Sequence, residues 1–220
     1  MVKEAIQYAA YIEHVREVAL FGTADMGFWR EALGREGLFA YEVDGRAGIL
    51  ISAPRLLWKG ARFCECAVSV AVSGREDGGS HDGYFLAHAF NSNRFFAFSE
   101  RLFFRTPYYF AEVAVSEKVP ASMRVGAQTI FEARMNVGEH APARVAEEYF
   151  QGRVYLPGGR DYFVARISGE TAFYPFATED TLVMTGDGIF GQLRESQFAG
   201  VEWRIREDAI HGKSKTYRRA

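Results

Sequence analysis

The sequence is short of the residues that fasten or break a chain: among 220 residues there are two cysteines and six prolines. Cys64 and Cys66 stand at i,i+2, on one face of a strand but too far apart for relaxed disulfide geometry. No second cysteine pair or histidine stands beside them at ligand spacing, so the expectation is two reduced, buried thiols and no metal. Charge of one sign is lacking too. Lys and Arg total 26 and Asp and Glu 28, interleaved along the chain for a net −2, which leaves no footprint for a phosphate backbone and predicts no nucleic-acid partner. Long apolar runs are missing. MVKEAIQYAAYIEHVRE interrupts its apolar positions with Lys3, Glu4, Glu13, His14 and Arg16, which argues against a signal core or a membrane span and for a cytoplasmic protein. There is no internal repeat, Gly/Ser/Pro linker or break in composition, so residues 1–220 read as a single domain.

What is present favours β-structure. Hydrophobic residues make up 48% of the chain and aromatics 15%, which excludes disorder and gives aromatic-rich strands a core to pack. Residues 3–15, within an N-terminal segment 1–17, read as an amphipathic helix on Ile6, Ala9, Ala10 and Ile12. Asp25 suits the N-cap of a helix over 26–33 that ends at Gly34 and Gly37. Asp44-Gly45 predicts a tight hairpin between strands over 39–43 and 47–52. A long strand over 62–72, a polar loop over 74–83 and a strand over 84–90 follow, and residues 95–105 read as a helix stopped by Thr106-Pro107. Further strands are expected over 109–116, 123–137, 152–156, 162–167 and 201–205, with a helix over 142–150 started by Pro142. Residues 207–220, which include the basic HGKSKTYRR, read as a solvated, flexible tail. The fold class is therefore α+β, mostly antiparallel β, in a closed or nearly closed barrel with a few flanking helices.

The stretch YFLAHAFNSNRFFAFSERLFFRTPYYFAEV, Tyr84 to Val113, resembles the central segment of acetoacetate decarboxylase-like proteins: strand, Asn-bearing turn, helix with an arginine, proline, then two consecutive site residues. FCECAVSVAV resembles the strand of that superfamily whose glutamate faces the cavity, and Glu65 takes that position. VAEEYFQGRVYLPGGRDYFVARISGETAFYPF is similar to the uncharacterised YqjF-like branch, so the likeness runs from Val18 to Trp203. It implies an acetoacetate decarboxylase-like β-barrel. The family's two adjacent lysines, one of which forms a Schiff base, are here Tyr108 and Tyr109, and Thr23 stands where the family carries an arginine. A phenol cannot form an iminium, so ordinary Schiff-base decarboxylation is not expected. The other lysines are Lys3, Lys59, Lys118, Lys213 and Lys215. Only Lys59 lies near a strand that could face a cavity, and Gly60 beside it points to a turn.

The candidate site is Glu65, Arg101, Tyr108 and Tyr109. Phe63, Glu65, Ala67, Ser69 and Ala71 share one face of their strand, a small-residue face that leaves room for a ligand if it points inward and meets solvent if it does not. Arg101 stands six residues before Pro107. Its helical stripe suggests partial burial, either in a salt bridge or against a ligand carboxylate. Tyr108 and Tyr109 alternate, so one faces inward as a hydrogen-bond donor or a core aromatic and the other packs outward. Glu132 and Arg134 share a face, as an exposed pair or as cavity wall. His14, His81, His88, His140 and His211 are scattered, without metal-ligand spacing or a nucleophile elbow. Three functions follow. The first is a barrel that binds a small carboxylate or carbonyl compound, with a lysine-independent lyase or isomerase step in which Glu65 is the base and Tyr108 the proton donor. The second is a non-catalytic binding or scaffold protein that retains the barrel, and the third an unrelated flavin- or lipid-binding barrel. No cofactor is expected. The expected partner is a small molecule, not a membrane, and homo-oligomerisation is left open.

Overall fold

The computed structural model describes residues 6–127, 130–138 and 140–219. β1 (Tyr8–Ala24) and α1 (Met26–Gly34) are followed by β2 (Phe39–Ala40), β3 (Glu42–Val43), β4 (Arg46–Trp58), β5 (Ala61–Ser73), β6 (Gly83–Asn91) and α2 (Arg94–Phe104). Four short strands come next: β7 (Tyr108–Phe110), β8 (Val113–Val115), β9 (Ser122–Val125) and β10 (Phe131–Arg134). The chain finishes with β11 (Arg144–Tyr155), β12 (Asp161–Pro175), β13 (Thr181–Met184), α3 (Gly188–Glu195), β14 (Ala199–Ser214) and β15 (Tyr217–Arg218).

The large sheet runs β2-β5-β4-β1-β14-β12-β11-β6-β7, and β5 also pairs with β6. All these pairings are antiparallel except those of β6 with β7 and β11. Gly83, at φ 144°, is what lets β6 begin against β11: a Cβ there would lie 2.2 Å from the Arg153 carbonyl oxygen. A smaller sheet runs β13-β10-β9-β8.

Strand alternation gives the large sheet two different faces. Along β4, Ala47, Ile49, Ile51 and Ala53 are fully buried and join Cys66, Val68 and Val70 of β5 in the main core. Trp29 and Leu33 of α1, Phe190 and Leu193 of α3, and Met123 and Phe131 of the small sheet pack onto the same core. Each such side chain contributes about 1.5–3 kcal/mol on burial, enough to fix α1, α3 and the small sheet on that face. α2 packs on the other face.

Several expectations hold. Asp25 caps α1 through its carboxylate, which accepts from the Phe28 amide at 2.7 Å. Asp44 (φ 50°) and Gly45 (φ 77°) form the hairpin turn between β3 and β4. α2 lies where expected, capped by Asn93 and ended by Arg105 in the left-handed region at φ 57°. No helix among the described residues is long and apolar enough to cross a membrane.

Others are corrected. The helix expected over 3–15 is strand from Tyr8 onward, while residues 3–5 lie outside the described residues. Its spacing did mimic a helix, but pairing with β14 from Tyr8 onward satisfies its backbone groups along one edge, β4 joins on the other edge from Arg16, and the register is stepped by irregularities around His14 (φ 58°). The helix expected over 142–150 is β11, whose exposure alternates along Val145, Glu147 and Tyr149 opposite β12. The strand expected over 123–137 is two strands, β9 and β10, with Gln128 and Thr129 between them outside the described residues. The tail expected over 207–220 is mostly strand: β14 continues to Ser214, β15 pairs with β12, and Arg219 donates to the carbonyls of Glu36 and Gly37. α3 was not expected.

Candidate functional site

Under α2, the second face of the large sheet lines a cavity of about 420 Å³. Phe63, Glu65, Ala67 and Ser69 of β5 form one wall, so the small-residue face points inward and its alternate residues fill the core. Most of the lining is apolar. Besides Ser69, Tyr84, Ser99 and Arg166, its polar groups fall into two sets.

The first set centres on Glu65. Its carboxylate accepts from the Tyr108 hydroxyl at 2.8 Å and from the Asn91 amide nitrogen at 2.8 Å. Asn91 is fully buried at the end of β6, and its side-chain oxygen Oδ1 accepts from the Asn93 backbone amide at 2.7 Å, which ties Glu65 to the start of α2. Tyr108 opens β7 directly after Pro107 and sits opposite Ala89 of β6. Glu65 is half-buried and lines the cavity. That burial, and then the negative charge of Glu100, raises its pKa, while the Tyr108 hydrogen bond, Lys213 and His211 pull it back; the balance lies at about 7. Burial and the neighbouring Glu65 and Glu100 charges hold the Tyr108 phenol well above its ordinary value, so it serves as a donor. Glu100, on the cavity side of α2, accepts from the Thr106 hydroxyl at 2.7 Å and is ion-paired with Lys213. The Lys213 ammonium lies 4.6 Å from the Phe104 ring centre, 4.8 Å from that of Phe163 and 5.6 Å from that of Tyr108.

The second set is Ser52 and His211, which line the cavity in front of the buried Glu17. Glu17 accepts from the Arg206 guanidinium at 2.7 Å, meets His211 Nε2 at 3.3 Å and is bonded by Ser52. Arg206 also pairs with Glu148. Burial pushes the Glu17 carboxyl up, but the charges of Arg206 and His211 outweigh it and hold the group well below the usual carboxylate range.

The structure thus brings Glu65 and Tyr108 together and places Arg101 and Tyr109 elsewhere. Arg101 is exposed, its guanidinium 5.1 Å from the Tyr109 ring centre, and Tyr109 is 44% exposed and stacked on His88 at 4.8 Å. Phe96, Glu100, Phe103 and Phe104 form the cavity side of α2, and Arg101 is turned away from it, where its charge keeps its hydration. Glu132 and Arg134 lie on β10 of the small sheet, outside the cavity lining, with Glu132 opposite Arg124. Lys59 is an exposed turn residue at φ 49°. Lys213, His211, Glu100 and Asn91 were missed. Spacing of i,i+2 between His211 and Lys213 was the available signal, hidden because their segment read as a tail. Among the described residues no group of three His, Cys, Asp or Glu side chains is placed to hold a metal ion.

No family model matches the chain, and no curated protein is similar to it in sequence. The fold is that of acetoacetate decarboxylase-like proteins. An acetoacetate decarboxylase-like enzyme from Sphingomonas wittichii RW1 superposes with a TM-score of 0.60 at 13% identity, over 96% of this chain and 92% of that one. The acetoacetate decarboxylase of Legionella pneumophila gives 0.61 at 12% identity, over 99% and 90%. A further acetoacetate decarboxylase structure gives 0.58 at 13% identity, over 99% and 92%.

Proposed function

We propose that the chain binds a small carboxylic or carbonyl compound in the cavity under α2 and moves a proton on it with Glu65 and Tyr108, in a lyase- or isomerase-type step, within a branch of this fold that lacks the lysine after the proline. The observation that carries this reading is geometric: the Glu65 carboxyl, held by the Tyr108 phenol at 2.8 Å, stands on the wall of a 420 Å³ cavity, where burial pushes its pKa up to about 7. Such a group is half protonated at neutral pH and can take a proton or give one, while Tyr108 steadies a ligand oxygen. The order of pairings from β5 through β4, β1, β14, β12, β11 and β6 back to β5 supports a barrel around the cavity, since each of those strands lends it a lining residue.

A thermal-shift screen of short keto and hydroxy acids tests the reading. Binders are expected, and Glu65→Gln should abolish turnover of any substrate found among them. A chain that binds none would return the cavity to a scaffold.

One observation favours a second reading: Lys213, absent from the family's nucleophile position, lies beside Tyr108 in the cavity. Borohydride reduction with acetoacetate or pyruvate, followed by intact mass measurement, separates the two. Unchanged mass fits acid–base chemistry alone, and a stoichiometric adduct on Lys213 would assign the chemistry to an amine.

A further inference from the structure

The polar groups of the first set occupy a small part of the cavity wall. Much of the remainder is aromatic: Phe63 and Phe96 pack at 4.6 Å and Trp58 stands 5.7 Å from Phe96. The volume of 420 Å³ would hold about fourteen waters at ~30 Å³ each. A short keto acid would leave much of that space to water facing rings that offer it no hydrogen bonds, an arrangement less favourable than filling it with carbon. Nor does the apolar lining stop inside. Phe95 and Phe103 line the cavity and yet are 68% and 70% exposed, so an aromatic rim carries the wall out to the surface along α2.

We propose that the ligand of this cavity is an amphiphilic monocarboxylic acid, its head at Tyr108, Glu65 and Lys213 and its alkyl or aryl chain along the aromatic wall toward the rim of Phe95 and Phe103. This rests on the small-acid reading above and adds the chain. Protonated Glu65 donates to the Tyr108 oxygen, which releases the phenol hydrogen to the head, and the Lys213 ammonium is shared between Glu100 and the head. The chain gains from burial alone, which sets its length dependence.

The test is calorimetric titration of the full chain with straight-chain carboxylates from butanoate to decanoate, and with the matched 1-alkanols. Affinity for the acids should rise about four-fold per methylene until the cavity is filled, and each alkanol should bind at least ten-fold more weakly than its acid. Lys213→Met should weaken all the acids by a similar factor. Phe103→Ala should weaken decanoate more than butanoate, and Ala67→Leu should shorten the chain length at which affinity levels off. Butanoate binding as tightly as decanoate would overturn the amphiphile and leave the small-acid reading standing. Equal binding of decanoate and decanol would overturn the head-group assignment, and failure of every acid would end both proposals.

Discussion

Glu17 and Glu65 are two glutamates of one interior with opposite surroundings. Glu17 lies behind the cavity wall with Arg206, His211 and Ser52 on its oxygens, and its charge is matched where it stands. Glu65 lies in the wall with two neutral donors, Tyr108 and Asn91, and its nearest acidic neighbour in the cavity, Glu100, already holds Lys213. The first carboxyl is driven below the ordinary range and the second up to about 7. Burial acts upward on both, so the difference comes from partners: a cation in contact outweighs desolvation, and amide and phenol donors do not. The pair separates a carboxylate that holds strands together from one that is free to exchange a proton.

The largest effect should come from removing the matched charge. Glu17→Ala leaves Arg206 buried with part of its compensation gone, and urea denaturation at pH 7 should show a loss of about 3–5 kcal/mol; a loss under ~1 kcal/mol would mean that the two glutamates do not differ as described. Next comes the pH dependence. The Glu65 pKa is raised above the ordinary 4.5, so the folded state holds an extra proton between about pH 4.5 and 7, and this group's contribution to stability falls as pH rises through that window. Glu65→Gln should remove a slope worth on the order of 2–3 kcal/mol across it, read from denaturation at pH 5 and pH 8. Identical slopes in the two proteins would contradict a raised pKa. Glu17 has the opposite sign: its contribution is complete above pH 4.5 and is lost as pH falls below it.

Tyr108→Phe should cost about 1 kcal/mol and raise the Glu65 pKa further, because the lost hydrogen bond favoured the ionised form. Carboxyl-resolved NMR titration would register this, and a downward shift would reverse the assigned roles. Smallest of all, Arg101→Ala should change stability by no more than ~0.5 kcal/mol and leave ligand affinity intact. A large effect would bring Arg101 back to the cavity.

The sequence disclosed the half of the site that sits on regular alternation. Glu65 among small residues on β5, and Tyr108 placed after Pro107, could be read from period and punctuation alone. Arg101 could not, because a helix of eleven residues with phenylalanine on several sides does not reveal which side faces the sheet. Lys213 and His211 were hidden for a different reason. Their inward aim is set by pairing with Ala165 and Ile167 of β12, residues far away in the chain, and local composition in that segment speaks only of solvent. β1, whose start is misread as a helix, and β14, whose end is misread as a tail, are each other's partner, so one long-range pairing accounts for most of both errors.

That pairing has a consequence for how the molecule is made. Leu20 lies opposite Trp203, so β1 leaves the ribosome well before β14 and has to wait for it. Until then β4 covers one of its edges and the other stays bare, next to the apolar run from Val18 to Leu20. Contacts this distant place folding on the slow side, in milliseconds to seconds, and leave an open edge that invites a second nascent chain. A chain halted before Ala199 would therefore be a sticky fragment, and it would lack Lys213, His211 and the partner that Glu17 needs to stay charged in the interior.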